Sequence, residues 1–86
     1  MKFKVETVKD SCTSLAAEKG FYSWVVIKRL TNTTVGAPRY ECTVILINVG
    51  DETLRGAYTF KKIGYYSGEQ DLADEATNQL IKELGL

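Results

Sequence analysis

The thiols of Cys12 and Cys42 are the most nucleophilic side chains in this 86-residue chain, and it contains no histidine to activate them. A catalytic cysteine needs a basic partner near its sulfur to populate the thiolate. Lack of histidine removes the commonest general base and the commonest transition-metal ligand together. Two cysteines are also too few for a disulfide-stapled secreted scaffold, so the compartment reads as reducing. Both are expected in the core: Cys12 on the apolar face of a short helix, Cys42 on the inward face of a strand, with a bond between them within geometric reach.

Carboxylates come next. Glu6, Asp10, Glu18, Glu41, Asp51 and Glu52 are scattered over strand faces, caps and turns, with no pair spaced for acid–base work across a cleft. Gly64-Tyr65-Tyr66-Ser67-Gly68 precedes a helix start, where free amides can hold an anion. It lacks the Lys-Ser/Thr of a P-loop and the glycine spacing of a dinucleotide site. Its tyrosines read better as rigid, amphipathic contact residues. Asn32-Thr33-Thr34 matches a glycosylation sequon but reads as chance without a secretion signal. These residues point to no catalytic site, no cofactor and no metal centre.

The elements that would position these groups follow from periodicity. Lys2–Val8 alternates, with Phe3, Val5 and Thr7 on one side, as a half-buried strand does. Asp10 or Ser11 is expected to cap a short helix bearing Cys12, Leu15 and Ala16 on one face, ended by Gly20. Phe21–Thr31 is a β-branched and aromatic strand, and Asn32–Pro38 a turn-rich connection. Arg39–Val49 and Thr53–Ile63 are strands joined at Gly50-Asp51-Glu52. A C-terminal helix follows, with Ser67 and Gln70 as a capping box and Leu72, Ala73, Ala76, Leu80 and Leu84 on its apolar face. The expectation is one α+β domain over residues 1–86, ordered β-α-β-β-β-α. An antiparallel sheet carries the C-terminal helix and the short N-terminal helix on one face. Tyr40, Cys42, Val44, Leu46, Leu54, Tyr58 and Phe60 should point inward. Arg39, Glu41, Thr43, Ile45, Ile47, Arg55, Thr59 and Lys61 should point outward.

Composition bounds the function. The chain is 44% hydrophobic and 26% charged with zero formal net charge, which excludes a disordered tail and a strongly basic nucleic-acid binder. No stretch is long and apolar enough to span a bilayer, and the amino terminus does not read as a signal peptide. A cytoplasmic protein is expected.

Two surfaces stand out. Val44-Ile45-Leu46-Ile47 and Trp24-Val25-Val26-Ile27 are apolar on both strand faces, whereas a sheet with one wet face alternates. Either this central strand pair is partly covered by the first strand, a loop or sheet curvature, or an apolar open face with Ile45, Ile47 and Trp24 docks a protein or forms a homodimer. Charge is also segregated. Residues 1–66 hold ten basic against six acidic side chains, a net +4, and residues 67–86 one against five, a net −4. Asp71, Asp74, Glu75 and Asn78, with Tyr65 and Tyr66, could meet a protein partner, and charge reversal there should leave folding intact. On the basic side, Lys28, Arg29, Arg39, Arg55, Lys61 and Lys62 could meet phosphates.

The order α-β-β-β-α from Ser11 to Leu86, with Tyr40-Glu41-Cys42-Thr43-Val44 and the Ala76…Leu80 helix, loosely resembles double-stranded-RNA-binding domains. That resemblance implies a nucleic-acid module gripping phosphates with a basic second-helix start. Here that position reads Glu69-Gln70-Asp71-Leu72-Ala73-Asp74-Glu75, the opposite charge, so duplex RNA binding is the alternative rather than the leading expectation. In size and lack of chemistry the chain also resembles small phage-encoded proteins that inhibit by contact. The leading expectation is a non-enzymatic small binding protein acting through protein–protein contact, an inhibitor or adaptor.

Overall fold

The computed structural model describes residues 6–30 and 38–86. Phe3, Val5, most of the expected Asn32–Pro38 connection and the Asn32-Thr33-Thr34 sequon lie outside those residues. The elements are β1 (Glu6–Ser11), α1 (Ser14–Lys19), β2 (Phe21–Leu30), β3 (Arg39–Asn48), β4 (Leu54–Ile63) and α2 (Glu69–Glu83). The four strands form one antiparallel meander in the order β1-β2-β3-β4. Both helices pack on one face, as the apolar periodicity requires.

Alternation decides that face. Phe21, Val25 and Ile27 from β2, Cys42, Val44 and Leu46 from β3, and Phe60 from β4 meet Ala16 of α1 and Leu72, Ala73, Ala76, Leu80 and Ile81 of α2 in one buried cluster. The side of β2 that points inward, ambiguous in an all-apolar run, is set by Phe21, Ser23, Val25 and Ile27. Small residues on α2 let the helix approach the sheet closely. Thr77 is fully buried there. Its hydroxyl donates to the Ala73 carbonyl at 2.9 Å and lies 2.6 Å from the Ser23 hydroxyl.

The helix termini differ from the local signals. Thr13, rather than Asp10 or Ser11, caps α1: its Oγ1 accepts from the Ala16 amide at 3.1 Å. Asp10 and Ser11 are instead the last two ladder residues of β1, paired with Trp24 and Ser23. Gly20 closes α1 with φ +83°, a left-handed conformation glycine adopts without strain. The Ser67–Gln70 capping box does not form. Gly68 is the N-cap without a side-chain bond, Ser67 bonds Asp71, and Gln70 reaches across to the Asp10 carbonyl.

Cys12 is corrected from core to surface. It falls before α1 begins and is exposed, while Cys42 is buried, and both thiols are free. Leu54 is corrected too. A bulge between Leu46 and Ile47 sets Gly56 opposite Leu46 but Leu54 opposite Ile47, so Leu54 changes face and is 65% exposed. Tyr58 keeps the helix-side parity but stays exposed, and Leu84 ends α2 as a C-cap rather than as core. A Cβ at Gly56 would stand 3.3 Å from Leu84 Cδ1, a tight contact that the end of the Leu84 side chain would have to yield to by a few tenths of an ångström.

The Ser23–Thr77 contact yields a double-mutant test. Thr77→Val should destabilise by about 1 kcal/mol, because the buried Ser23 hydroxyl then keeps only its 3.3 Å bond to the Ser11 carbonyl. Ser23→Ala/Thr77→Val should lose less than the sum of the two single changes, measured by urea denaturation.

Candidate functional site

Register turns the sheet face away from both helices into level rows. Glu6, Lys28, Glu41 and Lys61 stand side by side across β1 to β4. The next row is Val8, Val26, Thr43 and Thr59, with the two threonine hydroxyls 3.0 Å apart. Asp10, Trp24, Ile45 and Ala57 follow, then Tyr22, Ile47 and Leu54. Trp24 and Tyr22 meet edge to face at 6.4 Å. Val8 is 60% exposed and Trp24 45%, while Ile47, flanked by Tyr22 and Leu54, is only 7% exposed. Of the residues expected on an apolar open face, Trp24 and Ile45 stand on the sheet face away from both helices, whereas Ile47 is buried. Val8, Tyr22, Val26 and Leu54 belong to that face as well.

The acidic helix side is a different matter. Asp74 accepts from Ser11 Oγ at 2.7 Å and from Gln70 Nε2 at 3.1 Å. Asn78 accepts from Thr13 Oγ1. Glu75 pairs with Lys62 Nζ at 3.1 Å and accepts from Tyr66 OH at 3.0 Å, and Lys62 also donates to Gln79. Three of the four side chains on the expected acidic contact surface thus fasten α2 to the sheet side of the molecule. Asp71 is held locally by Ser67. Tyr66 packs edge to face on Tyr40 at 6.0 Å, leaving Tyr65, 80% exposed, as the loop tyrosine at the surface.

The basic residues do not gather. Parity puts Lys28, Arg39 and Lys61 on the open face, with Lys28 between Glu6 and Glu41. Arg29 and Lys62 lie on the helix side, opposite Tyr40, and Arg55 sits at the bulge. Lys62 is committed to Glu75 and stands 5.9 Å from the Phe60 ring centroid.

Burial governs the titrating groups. Desolvation pushes the Cys42 thiol up to about 11 despite the nearby Lys62 ammonium, so it carries little thiolate. Desolvation, and the bond to Glu75, push Tyr66 up to about 12. The Asp51 carboxyl is held below its usual range by the Thr53 hydroxyl and amide, which is turn chemistry. Among the described residues, a shallow cleft of about 110 Å³ beside Tyr40 and Tyr66 and another of about 260 Å³ beside Tyr58 and Leu84 are smaller than usual small-molecule sites of about 300–1,000 Å³. Among the described residues no cluster of three or more His, Cys, Asp or Glu could hold a metal ion, and no helix is long and apolar enough to cross a membrane.

The register that assembles the rows has no local signature. Alternation in β3 marks Glu41, Thr43, Ile45 and Ile47 as one face, but only pairing puts Glu6, Lys28 and Lys61 level with Glu41.

Three expected outcomes follow from these contacts. Reversing Asp71, Asp74 and Glu75 to lysine should destabilise the fold on the order of 2 kcal/mol in urea denaturation, since several hydrogen bonds are lost. This replaces the expectation that the triple change is silent. A thiol reagent should titrate Cys12 alone in the native protein and both cysteines in denaturant. Above pH 9 the unfolded chain loses the Cys42 and Tyr66 protons before the folded chain does. Stability, complete below about pH 9, should therefore fall as pH rises through about 11 and 12, and Tyr66→Phe should shallow the upper part of that fall. Comparison with protein-family models, with curated proteins and with solved structures finds no match to this chain.

Proposed function

We propose that this chain is a non-enzymatic binding protein that works through protein–protein contact, as an inhibitor or adaptor, with the open sheet face as its contact surface. The observation that carries this reading is the apolar stripe from Val8 through Trp24 to Ile45, Tyr22 and Leu54 on the sheet face opposite both helices. Contiguous apolar area of this kind is costly in water and marks interfaces. An aromatic at its centre and charged residues at one border match the layout of binding surfaces, with a dry middle and a polar rim. Trp24 is the anchor: a large ring, half exposed, held edge-on by Tyr22. The two free thiols suit a reducing, cytoplasmic setting.

The nucleic-acid alternative draws less support. Its six basic residues divide between the two faces and the bulge, and Lys62 is already paired.

Amine cross-linking of captured complexes separates the faces, because Lys28 and Lys61 border the open face whereas Lys19 and Lys82 lie on the helices. Partner cross-links should fall on Lys28 and Lys61, and Trp24→Glu should abolish capture while the far-ultraviolet circular dichroism stays unchanged. Cross-links confined to Lys19 and Lys82, with capture indifferent to Trp24→Glu, would sink this reading.

A further inference from the structure

Resting on the open face as the contact surface, we propose that the protein seated on it is a second copy of this chain, packed sheet on sheet about a two-fold axis that runs along the strands. The argument comes from the charged row. Across β1 to β4 it reads Glu6, Lys28, Glu41, Lys61: negative, positive, negative, positive. A half-turn about an axis along the strands, between the two faces, keeps each row level and exchanges the first strand with the fourth and the second with the third. Glu6 then meets Lys61 of the second copy, and Lys28 meets its Glu41. All four contacts are between opposite charges and none between like charges. An alternating row of four is complementary to its own reversal, which is what an isologous interface demands.

Other half-turns fail on the same residues. An axis across the strands sets each strand on its own copy. Placed at the charged row, it brings Glu6 against Glu6 and Lys28 against Lys28. Placed at mid-sheet, it lays Lys28 and Glu41 on Tyr22 and Ile47, burying charge against apolar side chains. The axis along the strands instead sets Trp24 over Ile45 of the second copy, and the charges it lays on apolar side chains, Asp10 over Ala57 and Arg39 over Leu30, fall on the edge strand and at the end of the sheet. Aligned sheets pack in this way at about 10 Å. Among the described residues none of the four charged side chains closes an ion pair with another, so their heads are available to the facing sheet.

Area sets the strength. Four strands about 4.8 Å apart and six to ten residues long present a face on the order of 500 Å². That lies below the roughly 800 Å² per partner of a standard interface, so the dimer is weak and concentration-dependent.

Sedimentation equilibrium from micromolar to millimolar concentration tests this, with emission from the only tryptophan, Trp24, as an internal reporter. The expected result is a monomer–dimer equilibrium with a blue shift of emission as the dimer fills. Lys28→Glu/Lys61→Glu, which makes the row all negative, and Glu6→Lys/Glu41→Lys, which makes it all positive, should each weaken self-association at least tenfold. An equimolar mixture of the two should restore it. Lys28→Glu/Glu41→Lys keeps the row complementary to its reversal and should keep the dimer, which covers the case where an all-like row folds poorly. A monomer at millimolar concentration, or a dimer indifferent to both reversals and to mixing, overturns the proposal. If the wild type is monomeric while Trp24→Glu still removes a captured foreign protein, the second copy is excluded and the open face remains the contact surface.

Discussion

Everything in this domain depends on how α2 is held against the sheet. Its inner stripe pairs large and small residues: Leu72, Leu80 and Ile81 fill space, while Ala73, Ala76 and Thr77 let the helix backbone come close. Hydrophobic burial supplies the attraction without direction. Polar seams along both flanks supply direction. On one flank Gln70, Asp74, Thr77 and Asn78 reach the end of β1, the α1 cap and β2. On the other, Glu75 and Gln79 hold Lys62 of β4. A helix on a flat sheet could slide or rotate, and these paired contacts fix its angle and height.

This arrangement redistributes the chain's charge in a way that matters for function. The acidic helix looks like an offered surface when the helix is drawn alone. Packed, much of its acid serves the fold, because a carboxylate beside a hydroxyl or ammonium that is partly withdrawn from water is better satisfied there than in solvent. The same packing consumes Lys62 and Tyr66. The opposite sheet face is left with its apolar rows and its one charged row, and among the described residues no helix lies over it.

Strand pairing converts scattered residues into a pattern. Glu6, Lys28, Glu41 and Lys61 are far apart along the chain, and each is unremarkable in its own strand. The meander sets them level, and because acid and base alternate from strand to strand the row alternates in sign. The bulge at Ile47 does the opposite for β4: one extra residue, Arg55, moves Leu54 to the other side.

Much of this was legible from the residues alone. Alternation of Cys42, Val44 and Leu46 with Glu41, Thr43 and Ile45, the helical stripe from Leu72 to Leu80, and Gly20 as a helix stop all report short-range sterics and a single buried face. They determined the α+β class and the element order. The residues that misled were those whose local pattern fitted one element while another boundary, register or hydrogen-bond partner prevailed. Cys12 and Leu54 matched an apolar periodicity that the real element boundary and the bulge broke. Ser67 and Gln70 matched a capping box until Asp71 and the Asp10 carbonyl offered other bonds. Which side of β2 is buried, which acids are spent inside the molecule, and which charges stand in one row are set by contacts between residues far apart in sequence. Only the tertiary structure decided them, since local periodicity carries no record of register.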